Sequence, residues 1–205
     1  MTISVAIFLF PDIEVLDFAG PYEVFTTASR VFKRRDQKAE APFAVFTVAN
    51  SKALVRARAG LEVRPDFTIT DHPPIDVLVV PGGVVTQELD RPEVVHWIAG
   101  RHNDARLTAS VCTGAFLLAR AGVLDGKSAT THWEDIPDLR AMFPQLQVLE
   151  NRRWVDEGKV VTSGGISAGI DMSLHLVERL VDRELALATA RQMEVDWHED
   201  SSGQS

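Results

Sequence analysis

Leu107-Thr108-Ala109-Ser110-Val111-Cys112-Thr113-Gly114-Ala115-Phe116-Leu117-Leu118 is the stretch on which the reading of this chain turns. An apolar, β-branched run ends at Cys112, and a helix-forming run starts at the next residue with no loop between them. A strand feeding straight into a helix places the thiol at a tight strand-to-helix turn, comparable to the nucleophile elbow of hydrolases. It also sets the sulfur at a helix N-terminus, where free N–H groups and the positive dipole end favour a thiolate. The plainer reading is a small buried residue closing a core strand, the commoner fate of a free cysteine. Against it stands the position, because the carboxyl end of a sheet strand is where α/β proteins bind ligands.

Short apolar runs alternate with longer amphipathic segments on both sides of that stretch, the mark of an α/β chain with a mostly parallel sheet sandwiched by helices. Strands are expected at 3–10, 43–48, 76–80, 106–111, 128–131, 147–150, 153–155 and 159–162, with a hairpin or bent edge pair at 54–63. Helices are expected at 21–34, 92–102, 113–121, 133–143, 167–181 and 183–193. The first of these is started at Pro21, a residue suited to a first helical turn. With no repeat and no low-complexity linker, 1–197 reads as one domain and 198–205 as a polar, frayed tail.

The 205 residues carry a net charge of −8, which argues against general affinity for nucleic-acid phosphates or anionic lipid. A hydrophobic share of 45% and a charged share of 24% are ordinary for a globular chain and exclude collagen-like or coiled-coil architecture. The single cysteine leaves no intrachain disulfide and no multi-thiolate zinc site. No secretory leader or membrane-length apolar run is present, so the expectation is a soluble cytoplasmic protein without a membrane partner.

Three further segments bear on Cys112. Val80-Pro81-Gly82-Gly83 follows a buried strand, and amides exposed at the glycine pair would face a nucleophile as oxyanion donors; a plain turn is the other reading. Asp17, in Glu14-Val15-Leu16-Asp17-Phe18-Ala19-Gly20-Pro21, is either a helix cap or a partly desolvated carboxyl that donates to the thiolate. His132, in Ala129-Thr130-Thr131-His132-Trp133, is a core histidine unless the fold brings it near the sulfur. No histidine pair has metal-ligand spacing and no phosphate-binding glycine signature occurs, so neither metal nor cofactor is expected.

Taken in order, these segments resemble the ThiJ/PfpI superfamily of flavodoxin-like, glutamine amidotransferase-like proteins, with Gly126-Lys127-Ser128-Ala129-Thr130-Thr131-His132-Trp133 and Thr162-Ser163-Gly164-Gly165-Ile166-Ser167-Ala168-Gly169-Ile170-Asp171 completing the set. Within it the chain is most similar to the isonitrile (isocyanide) hydratase group and to the sensor domain of AraC-type regulators. The resemblance implies a homodimer acting on a small molecule, with Cys112 as nucleophile and Asp17 as its acid partner. Thr113, Gly83 and Gly82 would lie by the substrate, while Gly164, Gly165 and Ile166 would pack on the elbow beside His132. The regulators carry a DNA-binding module after the sensor, and this sequence stops at Ser205, so no nucleic-acid partner is expected. Threonine follows the cysteine where protease-like members have histidine, which removes the base of a peptidase mechanism. The implied activity is a lyase reaction that adds water to an isocyanide through a thioimidate. A non-catalytic ligand or oxidation sensor and a glyoxalase-type thiol enzyme are the alternatives.

Overall fold

The computed structural model describes residues 1–35 and 37–199. From the N-terminus, β1 (Ile3–Leu9) leads to α1 (Val15–Arg35) and β2 (Phe43–Ala49). A small hairpin of β3 (Val55–Arg56) and β4 (Glu62–Val63) follows, then β5 (Phe67–Thr68) and β6 (Val77–Val80). Next come α2 (Thr86–Leu89), α3 (Pro92–Asp104), β7 (Leu107–Val111) and α4 (Gly114–Arg120). The remainder is β8 (Ser128–Ala129), α5 (Ile136–Met142), β9 (Gln147–Val148), β10 (Trp154–Asp156), β11 (Val160–Ser163), α6 (Ala168–Leu180) and α7 (Arg183–Gln192).

Seven strands form the central sheet in the order β10-β11-β7-β6-β1-β2-β5, parallel except for the β10–β11 pair. β6 and β7 are buried along their whole length and β1 nearly so, because helices cover both faces of the sheet. α1, α6 and α7 pack together on one side, and α2, α3 and α4 on the other. This is the mostly parallel, helix-flanked, flavodoxin-like sheet expected from the alternation of runs. Four adjacent strands, β1, β6, β7 and β11, therefore end at one edge, and the loops that leave them meet there.

The differences from expectation have physical causes. Helix α1 begins at Val15, six residues before Pro21, so Asp17 lies inside the first helical turn. Pro21 in the second turn costs only the amide that would have bonded the Asp17 carbonyl, and the buried face formed by Phe18, Pro21, Val24 and Phe25 outweighs that loss. The expected helix at 133–143 divides into a 3-10 turn at Trp133–Asp135 and the short α5. The strand expected at 128–131 stops at Ala129, since the Thr130 amide turns to the Thr162 hydroxyl. Edge strand β5 and helix α2 went unforeseen, both being too short to show a period. Of the tail, His198 and Glu199 are tied to the body: the His198 amide donates to Asp171 Oδ1 and Arg183 pairs with Glu199. Residues 200–205 lie outside the described residues.

Candidate active site

Cys112 follows β7 directly and adopts φ +54°, the left-handed region that a non-glycine residue enters only under constraint. Several bonds impose it. The Cys112 amide is shared between the carbonyls of Ser163 and Gly164, each at 3.2 Å, and the Cys112 carbonyl accepts from the Thr131 hydroxyl at 2.8 Å. Gly114 lies so close to β6 that a Cβ there would sit 2.1 Å from the Val80 carbonyl oxygen. The elbow is thus a consequence of a helix starting directly beneath the neighbouring strand's end.

Asp17 reaches the elbow from α1 and has no solvent exposure. Its Oδ2 accepts the Gly82 amide at 3.0 Å, while Oδ1 accepts no regular hydrogen bond. The Cys112 thiol and the Ile166 amide also act on this carboxyl, favouring its ionised form against the effect of burial. A side chain at position 82 would collide with the Thr113 amide and Asp17 Oδ2, so glycine is required for the close approach.

A cavity of about 200 Å³ opens over the sulfur, lined by Cys112, Gly83, Thr113 and Ile166 together with Glu14, Arg58, His132, Glu134 and Asp135. Arg58 Nη1 stands 3.3 Å from Glu14 Oε2 at its mouth. His132 Nδ1 lies 3.4 Å from Asp135 Oδ2, and the His132 ring lies against Gly165, where a Cβ would come within 2.0 Å of Cδ2. Ile166, like Cys112, has a left-handed φ, of +54°. Two strained residues thus face one small cavity.

Electrostatically, this site resists a second negative charge. Burial pushes the Asp17 carboxyl up to about 7, against the opposing pull of the Gly82 amide. Burial first, and the Asp17 charge second, push the Cys112 thiol up to about 12, although the Thr113 amide and hydroxyl act to lower it. The expected low-pKa thiolate is therefore corrected: two buried acids share one cage, and above neutral pH they hold a single proton between them, mostly on sulfur.

Residues 3–179 match the DJ-1/PfpI family. The chain belongs to the DJ-1/PfpI family. Isonitrile hydratase of Pseudomonas putida is 34% identical over 195 residues, covering 95% of this chain and 79% of that protein. The HTH-type transcriptional regulator GbdR of Pseudomonas aeruginosa is 36% identical over 134 residues, which cover 65% of this chain and 36% of the regulator. Among solved structures, a ThiJ/PfpI family protein from Pseudomonas syringae superimposes with a TM-score of 0.83 at 28% identity, over 100% of this chain and 80% of that one.

For a DJ-1/PfpI chain, then, the structure gathers Cys112, Asp17, Gly82, Gly83, Thr113, His132, Gly164, Gly165 and Ile166 in one place. It also corrects one assignment. Neither glycine amide faces the cavity as a free oxyanion donor, because Gly82 N–H binds Asp17 and Gly83 N–H donates to Thr113 Oγ1 at 2.8 Å. That hydroxyl in turn donates to the Gly83 carbonyl at 2.9 Å, clamping the two loops together. Sequence reasoning did not single out Arg58, Glu134, Asp135 or Thr131. Asp135, one helical turn from His132, carried a weak spacing signal; Arg58, delivered by the β3–β4 hairpin, carried none. Among the described residues no group of three or more His, Cys, Asp or Glu side chains is arranged to hold a metal ion.

Proposed function

We propose that this protein is an isonitrile hydratase-type lyase that converts a small isocyanide and water into an N-substituted formamide. The observation that carries the reading is the fully buried Asp17 carboxyl acting on the Cys112 thiol beneath a cavity of about 200 Å³. The 34% identity to isonitrile hydratase over 95% of the chain supports the same chemistry.

Ionised Asp17 takes the thiol proton as sulfur bonds to the terminal carbon of R–N≡C, so charge passes from oxygen to sulfur to carbon without a second anion forming in the cage. Neutral Asp17 then returns that proton to the carbon, giving the thioimidate Cys–S–CH=N–R. Water adds to this carbon as Asp17 takes one of its protons and passes it to nitrogen; Asp17 then takes the remaining hydroxyl proton as the C–S bond breaks, releasing R–NH–CHO, and returns it to the departing sulfur. One carboxyl serves alternately as base and acid, which its value near neutrality suits. The expected homodimer and small-molecule partner belong to this reading.

The test is formamide production from a simple alkyl isocyanide, followed by proton NMR. Cys112→Ala is expected to abolish it, and Asp17→Asn to slow it by roughly two to four orders of magnitude. Full turnover by Cys112→Ala ends the proposal. In the unsubstituted protein kcat/KM should fall as pH drops below about 7, where Asp17 takes up a proton. In Asp17→Asn the break near 7 should vanish and the residual rate should go on rising with pH as the thiol ionises unaided. A ligand-sensing role is the second reading, favoured by the 36% identity to the regulator GbdR. Saturable isocyanide binding without turnover would select it. The raised thiol counts against a peroxide sensor, which works through a ready thiolate.

A further inference from the structure

Gly83, Thr113 and Asp135 border two cavities. Besides the space over Cys112 they line a larger one, of about 530 Å³, between the loop after β6 and helices α2, α4 and α5. Its walls are mostly hydrocarbon: Val85 and Phe116 are buried, Leu89 is half-buried, and Val84, Ala141 and Met142 are exposed around them. Among the described residues that line it, Asp135 and Asp138 are the charged ones and none is cationic. A third cavity, of about 630 Å³, shares His132 and Ile166 with the Cys112 site. Glu150, Arg152 and Arg153 line that one, and a hydrocarbon group seated against them would take water from charged side chains.

We propose, resting on the hydratase reading, that the cavity between α2, α4 and α5 takes the substituent of the isocyanide whose terminal carbon meets Cys112, and that this substituent is an uncharged alkyl or aryl group. Apolar walls with part of their surface open offer such a group burial without any polar partner. Burial of this kind is non-directional, so it holds substrate and transition state alike and lowers KM rather than raising kcat. A carboxylate on the substituent would instead face Asp135 and Asp138 with no lining cation to offset them, which disfavours amino-acid-like isocyanides.

The test compares methyl isocyanide, benzyl isocyanide and isocyanoacetate on the full chain and on A141W. Ala141 is exposed on α5 and lines the apolar cavity but not the one over Cys112, so tryptophan there fills the space without entering the core or reaching the thiol. In the unsubstituted protein KM should be roughly tenfold or more lower for benzyl than for methyl isocyanide, and highest for isocyanoacetate. In A141W the benzyl KM should rise by roughly tenfold with kcat held, while both constants for methyl isocyanide stay as they were. Equal KM values for benzyl and methyl isocyanide, a preference for isocyanoacetate, or a benzyl KM unmoved by A141W each overturn the proposal. So does a benzyl KM raised by W133A instead, which would seat the substituent beside Trp133 in the third cavity. Absence of methyl isocyanide turnover is a failure of the hydratase reading, and N-benzylformamide binding then reads the pocket directly. Saturable amide shifts at Val85 and Leu89 that are lost in A141W support it, and no saturable shift overturns it.

Discussion

At Asp17 a carboxyl is withdrawn from water entirely, and the fold bears the consequence as a pH dependence. Its value of about 7 in the folded chain lies above the ordinary 3.8, so the folded state holds the proton more tightly than the unfolded one. The stability this contributes is complete below about pH 4 and is lost as pH rises through 7. At 1.36 kcal/mol per unit, the loss approaches about 4 kcal/mol by pH 8. Asp17→Asn keeps an oxygen for the Gly82 amide and removes the ionisation. Urea unfolding should therefore show the variant gaining on the unsubstituted protein as pH rises from 4 to 8, with little difference at the acid end. A difference independent of pH would mean that the Asp17 carboxyl titrates in the folded chain as it does in the unfolded one. Function and stability thus oppose each other at this residue: the ionised form that activates the thiol is the form the fold tolerates least.

At the scale of elements, the elbow depends on α4 starting under the end of β6. Gly114→Ala puts a Cβ against the backbone oxygens of Val80 and Pro81, and neither strand end can yield without disturbing the sheet. The expected cost is about 2–3 kcal/mol, read as a fall in the denaturation midpoint, with the proposed activity lost alongside. Gly100, midway along α3, has open space where a Cβ would go. Gly100→Ala should therefore stabilise by roughly 0.5–1 kcal/mol through helix propensity alone. The contrast separates glycine required by close approach from glycine merely accepted.

Across the whole molecule, Asp171 on α6 links three parts of the chain. Its carboxylate pairs with Arg153, just before β10, and accepts the His198 amide, while its backbone carbonyl accepts the Trp197 indole N–H. Loop 164–167, which carries Ile166 to the site, runs between β11 and this helix. Asp171→Ala leaves the Arg153 side chain and the His198 amide without that partner, at a cost of about 2–3 kcal/mol. Trp197 fluorescence should shift to the red as the C-terminal segment loosens. An unchanged spectrum with unchanged stability would show that the segment is held by Arg183 and packing instead.

The order of elements, the parallel sheet and the elbow at Cys112 were legible from the sequence, because each rests on local chemistry. Apolar runs of strand length, amphipathic runs of helix length and a cysteine directly between the two need no distant partner to be read. The family motifs likewise pointed to Asp17, His132 and the glycine loops. What they could not convey was where the protons and free amides lie. Pro21 pointed to a late helix start, yet burial of the face around Phe18 and Phe25 carries α1 back to Val15 and puts Asp17 inside it. The glycine amides suggested an oxyanion hole, yet the folded loops spend them on Asp17 and Thr113. The helix N-terminus suggested a thiolate, yet desolvation and a neighbouring carboxylate raise the thiol instead. Hydrogen-bond partners and dielectric surroundings are properties of segments brought together from distant positions, and only the tertiary structure decides them.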